Sequence, residues 1–208
     1  MGKTLIRVIC LMAAALLAVP SFAQTDDAKE EMLRRRAAQK VGQLGDYIQC
    51  MGRKLEDMTE EKQKEYKEYF RQAALGLFIN NGDEYEEDGI QREGVLMEVT
   101  SVNSSTSSKK LVKTYFAGLI GMKYSQVTIE TTDVANISVS KLQKVDDDLF
   151  VCTCYFEQKF CGYRDGVPVY KDITKKKVKC YVKTEQTEDG EEYIVLLGDV
   201  TATETIKL

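Results

Sequence analysis

Apolar residues recur at helical spacing from the first charged segment onward. Between Asp27 and Asp57 they are Met32, Val41, Leu44, Ile48, Met51 and Leu55, set among charged neighbours, which predicts an amphipathic helix. Asp57 offers a cap for a second helix, with Glu60 three residues on as its capping-box partner. That helix, predicted over 59–79, gathers Tyr66, Phe70, Ala73, Ala74, Leu77 and Phe78 on one face. Asn80, Asn81 and Gly82 tolerate the left-handed conformation that ends it. Residues 83–89 read as a loop, 94–102 as a strand and 103–108 as loop and cap material. A third helix is predicted over 109–122, with Leu111, Val112, Tyr115, Phe116, Leu119 and Ile120 on its apolar face.

From Ser125 the period becomes two. Strands are predicted at 125–131, 136–144, 149–163, 167–184 and 190–204, with turns at Asp146–Asp148, Arg164–Gly166 and Glu188–Gly190. Helices come first and hairpins last, so the predicted class is α+β, with N-terminal helices packed on a curved antiparallel sheet.

The N-terminus changes how the chain is divided. Lys3 and Arg7 precede the short apolar run Val8–Pro20, and Ser21-Phe22-Ala23 ends in small residues at the expected cleavage positions. This is the pattern of a secretory signal peptide over 1–23, and the run is too short for a spanning helix. The expected organisation is a helical segment at 24–57 and an α+β domain at 58–208, periplasmic or secreted, with no membrane span in the mature chain.

Charge and composition remove several functions. The formal net charge is −4, and loss of Lys3 and Arg7 takes it to −6. A net acidic chain without a basic stripe predicts no nucleic-acid partner. Residues 24–79 carry 11 basic and 11 acidic side chains, so Arg34-Arg35-Arg36 reads as a solvated face. Histidine is absent, which excludes His-based nucleophile activation and His-ligated zinc. Any catalysis would fall to Asp, Glu, Tyr, Lys or Cys.

The order helix, helix, strand, helix and then long antiparallel strands resembles the NTF2-like (cystatin-like α+β) superfamily over residues 45–208. The resemblance implies a long helix lying in the concave face of a bent sheet. The signal peptide gives the chain the look of an exported bacterial protein. A fold of this kind hosts many unrelated functions, so no activity comes with it.

The cysteines are the densest chemistry in the sequence. Cys152 and Cys154 alternate on a strand and share a face with Phe150, Phe156 and Phe160. Their spacing fits neither a zinc knuckle nor a C-x-x-C redox motif, so no metal is expected. A two-residue loop at Asp165-Gly166 would place Cys152 opposite Lys179. A three-residue loop with a bulge would place it opposite Cys180, where a disulfide could form. Buried thiols and a Cys152–Cys180 bridge both remain open.

Among the carboxylates, Asp146–Asp148 reads as a turn, and the acidic run before Gly89 fails the calcium-loop pattern because Val95 stands where a glutamate is needed. Lys175-Lys176-Lys177 reads as a charged stretch on a strand or sheet edge. Asp199 shares parity with Val195 and Leu197; it is a catalytic candidate if that face is interior and a rim residue if Gly198 marks a bulge. Tyr155, Phe156, Tyr170 and Tyr181 of the aromatic hairpin 149–184 are the predicted ligand-binding residues. Tyr155, Tyr170, Tyr181 or Tyr193 could donate to an oxyanion. The function expected is an exported, non-catalytic module that binds a small molecule or an envelope protein and needs no cofactor. The alternatives are a small lyase or isomerase built on an Asp/Tyr pair, and a structural subunit docking through residues 32–55.

Overall fold

The computed structural model describes residues 21–208 except Asn103 and Asp189; the basic and apolar parts of the predicted signal peptide lie outside the described residues. The chain divides into two units, Met1–Met32 and Leu33–Leu208. In the first, the described part is helical from Ser21. This helix begins in the first unit, and everything else described below lies in the second.

Helix α1 runs Ser21–Gly52. From Leu33 it buries Ala37, Ala38, Val41, Leu44, Ile48 and Met51, each at most 5 % exposed. The steps of three and four residues put them on one stripe. Gly45 lets this helix approach the sheet closely. A Cβ there would lie 2.6 Å from Thr131 Oγ1, so a larger residue would push helix and strand apart. Because the stripe is buried inside the unit, it is not an exposed docking arm.

Helix α2 (Glu60–Leu75) is capped by Thr59, whose Oγ1 accepts from Lys62 N at 3.4 Å, rather than by Asp57. It ends at Gly76, before the Asn-Asn-Gly stop expected from sequence. Asn80, Asn81 and Gly82 do adopt left-handed backbone, within a short 3₁₀ turn at Ile79–Gly82. The acidic stretch read as a loop is a small hairpin, β1 (Tyr85–Glu87) and β2 (Ile90–Arg92), closed by Asp88 and Gly89 at positive φ.

Strands β3 (Leu96–Ser101) and β4 (Ser104–Leu111) form the next hairpin. β4 replaces the loop expected at 103–108. Its serines and threonine suit a strand on the sheet's outer edge, and the third helix, α3 (Val112–Ile120), starts later as a result. The remaining strands are β5 (Gln126–Thr131), β6 (Ser138–Val139), β7 (Gln143–Asp146), β8 (Leu149–Arg164), β9 (Val167–Thr187) and β10 (Gly190–Lys207). The strand expected at 136–144 is divided into β6 and β7, both paired to β8.

The main sheet has the order β4-β3-β10-β9-β8-β5. Its pairs are antiparallel except β3–β10, which is parallel. The class is therefore α+β with a mixed sheet. Leu44 and Ile48 of α1 meet Met97, Phe156 and Val200 of the sheet around a residual space of about 10 Å³. On α3, Phe116 packs against Phe78 with ring centroids 6.2 Å apart.

β8 and β9 carry the register that sequence left open. The turn is the two-residue one: Arg164 faces Val167, and Asp165 and Gly166 both have positive φ, as a type I′ hairpin requires. Yet Cys152 faces Cys180, because one extra residue, Val169, bulges out between the pairs Tyr163–Pro168 and Gly162–Tyr170. A tight turn and a bulge act together, where the sequence analysis treated them as alternatives.

Candidate functional site

β9 is a central strand, flanked by β8 and β10. Its alternate residues Tyr170, Asp172, Thr174, Lys176, Val178, Cys180 and Val182 therefore share one face. That face has two halves. From Val178 onward it is apolar and fully buried. From Tyr170 to Lys176 it is polar and lines a cavity of about 290 Å³. Gln158 and Phe160 of β8 stand opposite Thr174 and Asp172 and continue the same wall. Val99, Thr100 and Ser101 of β3, Tyr115 of α3, and Met122 and Tyr124 just beyond α3 complete the lining.

The aromatic wall is built by contact. Phe160 sits edge-on between Tyr124 and Tyr170, at 5.9 Å and 5.7 Å between ring centroids. Gly162 makes room for Tyr124, since a Cβ there would lie 2.7–2.9 Å from three of its ring carbons.

The polar floor holds two buried ionisable groups. Asp172 is 4 % exposed and Lys176 7 %. Tyr170 Oη donates to Asp172 Oδ2, lies 2.9 Å from Ser101 Oγ and accepts from Val102 N at 3.3 Å. Burial raises the Asp172 carboxyl above its usual value, against the pull of the Tyr170 hydrogen bond and the Lys176 charge. Burial also raises the Tyr170 hydroxyl, helped by its bond to Asp172. Lys176 Nζ lies 5.7 Å from the centroid of the Tyr115 ring. Burial pulls its ammonium down to about 8, and Asp172 opposes this only in part. Tyr115 is pushed up to about 12 by burial and by the Asp172 charge. The site can offer a carboxyl, a phenol and an amine within aromatic walls.

Lys176 is the middle residue of the lysine run read as lying on a strand or a sheet edge. The topology gives the strand and removes the edge: β9 is central, so Lys175 and Lys177 point outward and Lys176 points in.

Of the ligand-binding residues expected from sequence, Tyr170 lines the cavity. Phe156 is on the same face but buried under α1. Tyr155 is 48 % exposed on the other face. Tyr181 also lies outside the cavity. Its hydroxyl donates to Glu87 Oε1, where Lys179 Nζ also binds, and this clamps the β1–β2 hairpin to the sheet. Tyr193 pairs with Glu191 near the far end of β10. Asp199 is exposed and lies outside the cavity. The β10 register shifts between Leu197 and Val200, and Asp199 Oδ1 accepts from Leu96 N at 2.8 Å. It ties the bulge of β10 to the start of β3. Asp172 and Gln158 were not singled out from sequence, while Lys176, Tyr115 and Phe160 were named only as part of a charged run, a helix face and a strand face, not as site residues.

The cysteines form a second cluster on this face. Cys152, Cys154 and Cys180 are all at most 2 % exposed, and their sulfur atoms lie within 4.8 Å of one another. Cys154 Sγ is 3.5 Å from Cys180 Sγ, and all three are free thiols. Hydrogen bonds from Cys154 and Cys180 hold the Cys152 thiol below its ordinary value, and these contacts push the other two up. A polar recess between α1 and β5, lined by Gly42, Asp46, Gln49, Glu130, Asp133 and Asn136 among others, has no aromatic wall.

No family model matches the chain, and no curated protein does. Solved structures similar to it include a scytalone dehydratase-like protein of Novosphingobium aromaticivorans, at TM-score 0.43 and 9% identity over 87% of this chain and 91% of that one. An NTF2-like protein with a cystatin-like fold from the same organism aligns at TM-score 0.38 and 9% identity, over 90% and 93% of the two chains. A protein of that organism named for aromatic ring hydroxylase activity aligns at 0.36 and 12%, over 83% and 94%. These are likenesses of the chain trace, and nothing about the site passes from them to this chain.

Proposed function

We propose that the protein binds a small, largely aromatic or aliphatic molecule bearing one polar group, in the cavity between β8, β9, β3 and α3. The observation that carries this reading is the pairing of aromatic walls with two buried, oppositely charged groups, Asp172 and Lys176, on one cavity face. Two buried ionisable groups cost stability unless they are used or fully paired. An apolar recess with a few convergent polar groups is the common form of a ligand site. Lys176 and Gln158 would orient an acidic or carbonyl group, with Phe160, Tyr124 and Tyr170 around the apolar body. Native mass spectrometry tests this. Protein folded in the presence of small aromatic acids, alcohols and carbonyl compounds should carry added mass that disappears on denaturation. Phe160→Trp, which adds bulk to the aromatic wall of the cavity, should weaken it. Equal retention by that variant would place binding elsewhere.

A second reading is supported by the Tyr170–Asp172 pair, in which a carboxyl of raised pKa accepts from a phenol. Such a pair could move a proton on a bound molecule, as in an isomerase or lyase. Asp172→Asn would then retain binding and lose turnover. We also propose export through the segment 1–23, on the strength of Lys3, Arg7, the apolar run and Ala23. N-terminal sequencing of protein recovered outside the cytoplasm should begin at Gln24, and recovery of intact Met1 there would reject that cut.

A further inference from the structure

We propose that Lys176 is a carbonyl-capturing residue, whose amine condenses with a small aromatic aldehyde or unhindered ketone in the cavity to give an imine. The proposal rests on the reading of this cavity as the ligand site.

Three observations set Lys176 apart from the other lysines of the described residues. It is buried, and it lines the cavity. Asp172 is the one charge that acts on it, four residues away along the strand, and its near neighbour is the face of the Tyr115 ring. Its sequence neighbours Lys175 and Lys177 are exposed, and Lys175 is paired with Glu204 at 2.8 Å. A paired or hydrated ammonium holds its proton and is not a nucleophile. A desolvated lysine in an apolar pocket is the usual form of a Schiff-base lysine. With its ammonium pulled down to about 8, roughly a tenth of Lys176 is neutral at pH 7, against well under a thousandth for an ordinary lysine.

The chemistry balances without an added oxidant or reductant. The nitrogen lone pair bonds to the carbonyl carbon as the C=O π pair moves to oxygen. Oxygen gains a proton and nitrogen loses one, giving a carbinolamine. The C–O bond then breaks, and the hydroxyl leaves as water with a proton taken from solvent. The nitrogen pair forms C=N, and the last N–H proton returns to solvent. Amine plus carbonyl thus gives imine plus water. Phe160, Tyr124 and Tyr170 supply stacking surface for the aryl group.

The test uses the full chain with benzaldehyde and cyanoborohydride at neutral pH, the hydride fixing any imine as a benzylamine. Peptide mapping by tandem mass spectrometry then compares Lys176 with Lys175 and Lys177 in the same fragment. The expected result is benzylation of Lys176 at least about tenfold faster than of its neighbours. In Lys176→Met the fast phase should vanish while the slow labelling of Lys175 and Lys177 persists. Labelling of Lys176 no faster than of its neighbours overturns the proposal. Benzyl alcohol, which cannot form an imine, separates the two readings. If it binds the cavity while Lys176 stays unlabelled, capture fails and the binding site stands. If neither compound binds, both fail.

Discussion

Lys176 sets the balance at the residue scale. A lysine whose folded pKa lies below its unfolded value destabilises the fold wherever the unfolded chain is protonated and the folded one resists it. For Lys176 that cost is fully present below about 8 and is relieved as pH rises from about 8 to 10.5. The fall from 10.5 to about 8 corresponds to about 3 kcal/mol. Lys176→Met, which keeps the aliphatic stem and removes the charge, is expected to be more stable than the parent at pH 7, by up to about 3 kcal/mol. The gain should shrink toward zero as pH approaches 10.5. Urea denaturation at a series of pH values measures it. A variant less stable than the parent at pH 7 would mean that the ammonium is satisfied where it lies.

At the scale of elements, β9 decides what the molecule can do. One strand supplies the polar cavity floor and the apolar sheet centre in sequence, by a change of composition along a single face after Lys176. Strand identity was legible, because alternation, Asp-Gly and Glu-Asp-Gly turns mark both hairpins directly. The inward face of the cysteine-bearing stretch was legible too, since Cys152, Cys154 and Phe156 alternate on one apolar side and are buried there; the inward face of the polar half of β9 was not. Parity alone leaves two choices for every strand, and the choice depends on which strand is central and where a bulge falls. The run of three lysines hid Lys176, since its charge pattern is the same on an edge and in a centre. Asp199 could be read as interior or as a rim residue at a bulge, and the register shift between Leu197 and Val200, with Asp199 exposed, gives the second. Tyr170 was named as a ligand-binding residue, while Asp172 two residues on was not, since its value lies in burial.

The bulge at Val169 makes the fold tolerant of one particular deletion. Deleting Val169 removes the extra residue and leaves every pair from Gly162–Tyr170 to Leu149–Lys183 in place. The variant is expected to unfold cooperatively within a few degrees of the parent. Deleting Lys179 instead would turn core residues outward on one side of the cut, either Val178 or Cys180 and Val182, and should abolish cooperative unfolding. Thermal melts followed by circular dichroism read both. Similar melts for the two deletions would contradict the register.

For the whole molecule, α1 and α3 and the sheet divide the interior between them. α1 seals the apolar half of the inner face, burying Leu44, Ile48 and Met51, while α3 and the segment after it roof the polar half without filling it. The α+β class was legible from element order, because order is a one-dimensional property. The cavity was not, because four separate segments meet there. The claim at the centre of this account is that the space above Tyr170, Asp172 and Lys176 admits a ligand. Met122 lines it and is 36 % exposed, whereas Met51 and Met97 are buried in the core. Methyl NMR on protein labelled at methionine ε carbons, titrated with small aromatic alcohols, acids and aldehydes, tests the claim directly. The expected result is a saturable shift of the Met122 methyl with Met51 unmoved. A folded protein whose Met122 signal is unchanged by every member of that series would contradict it.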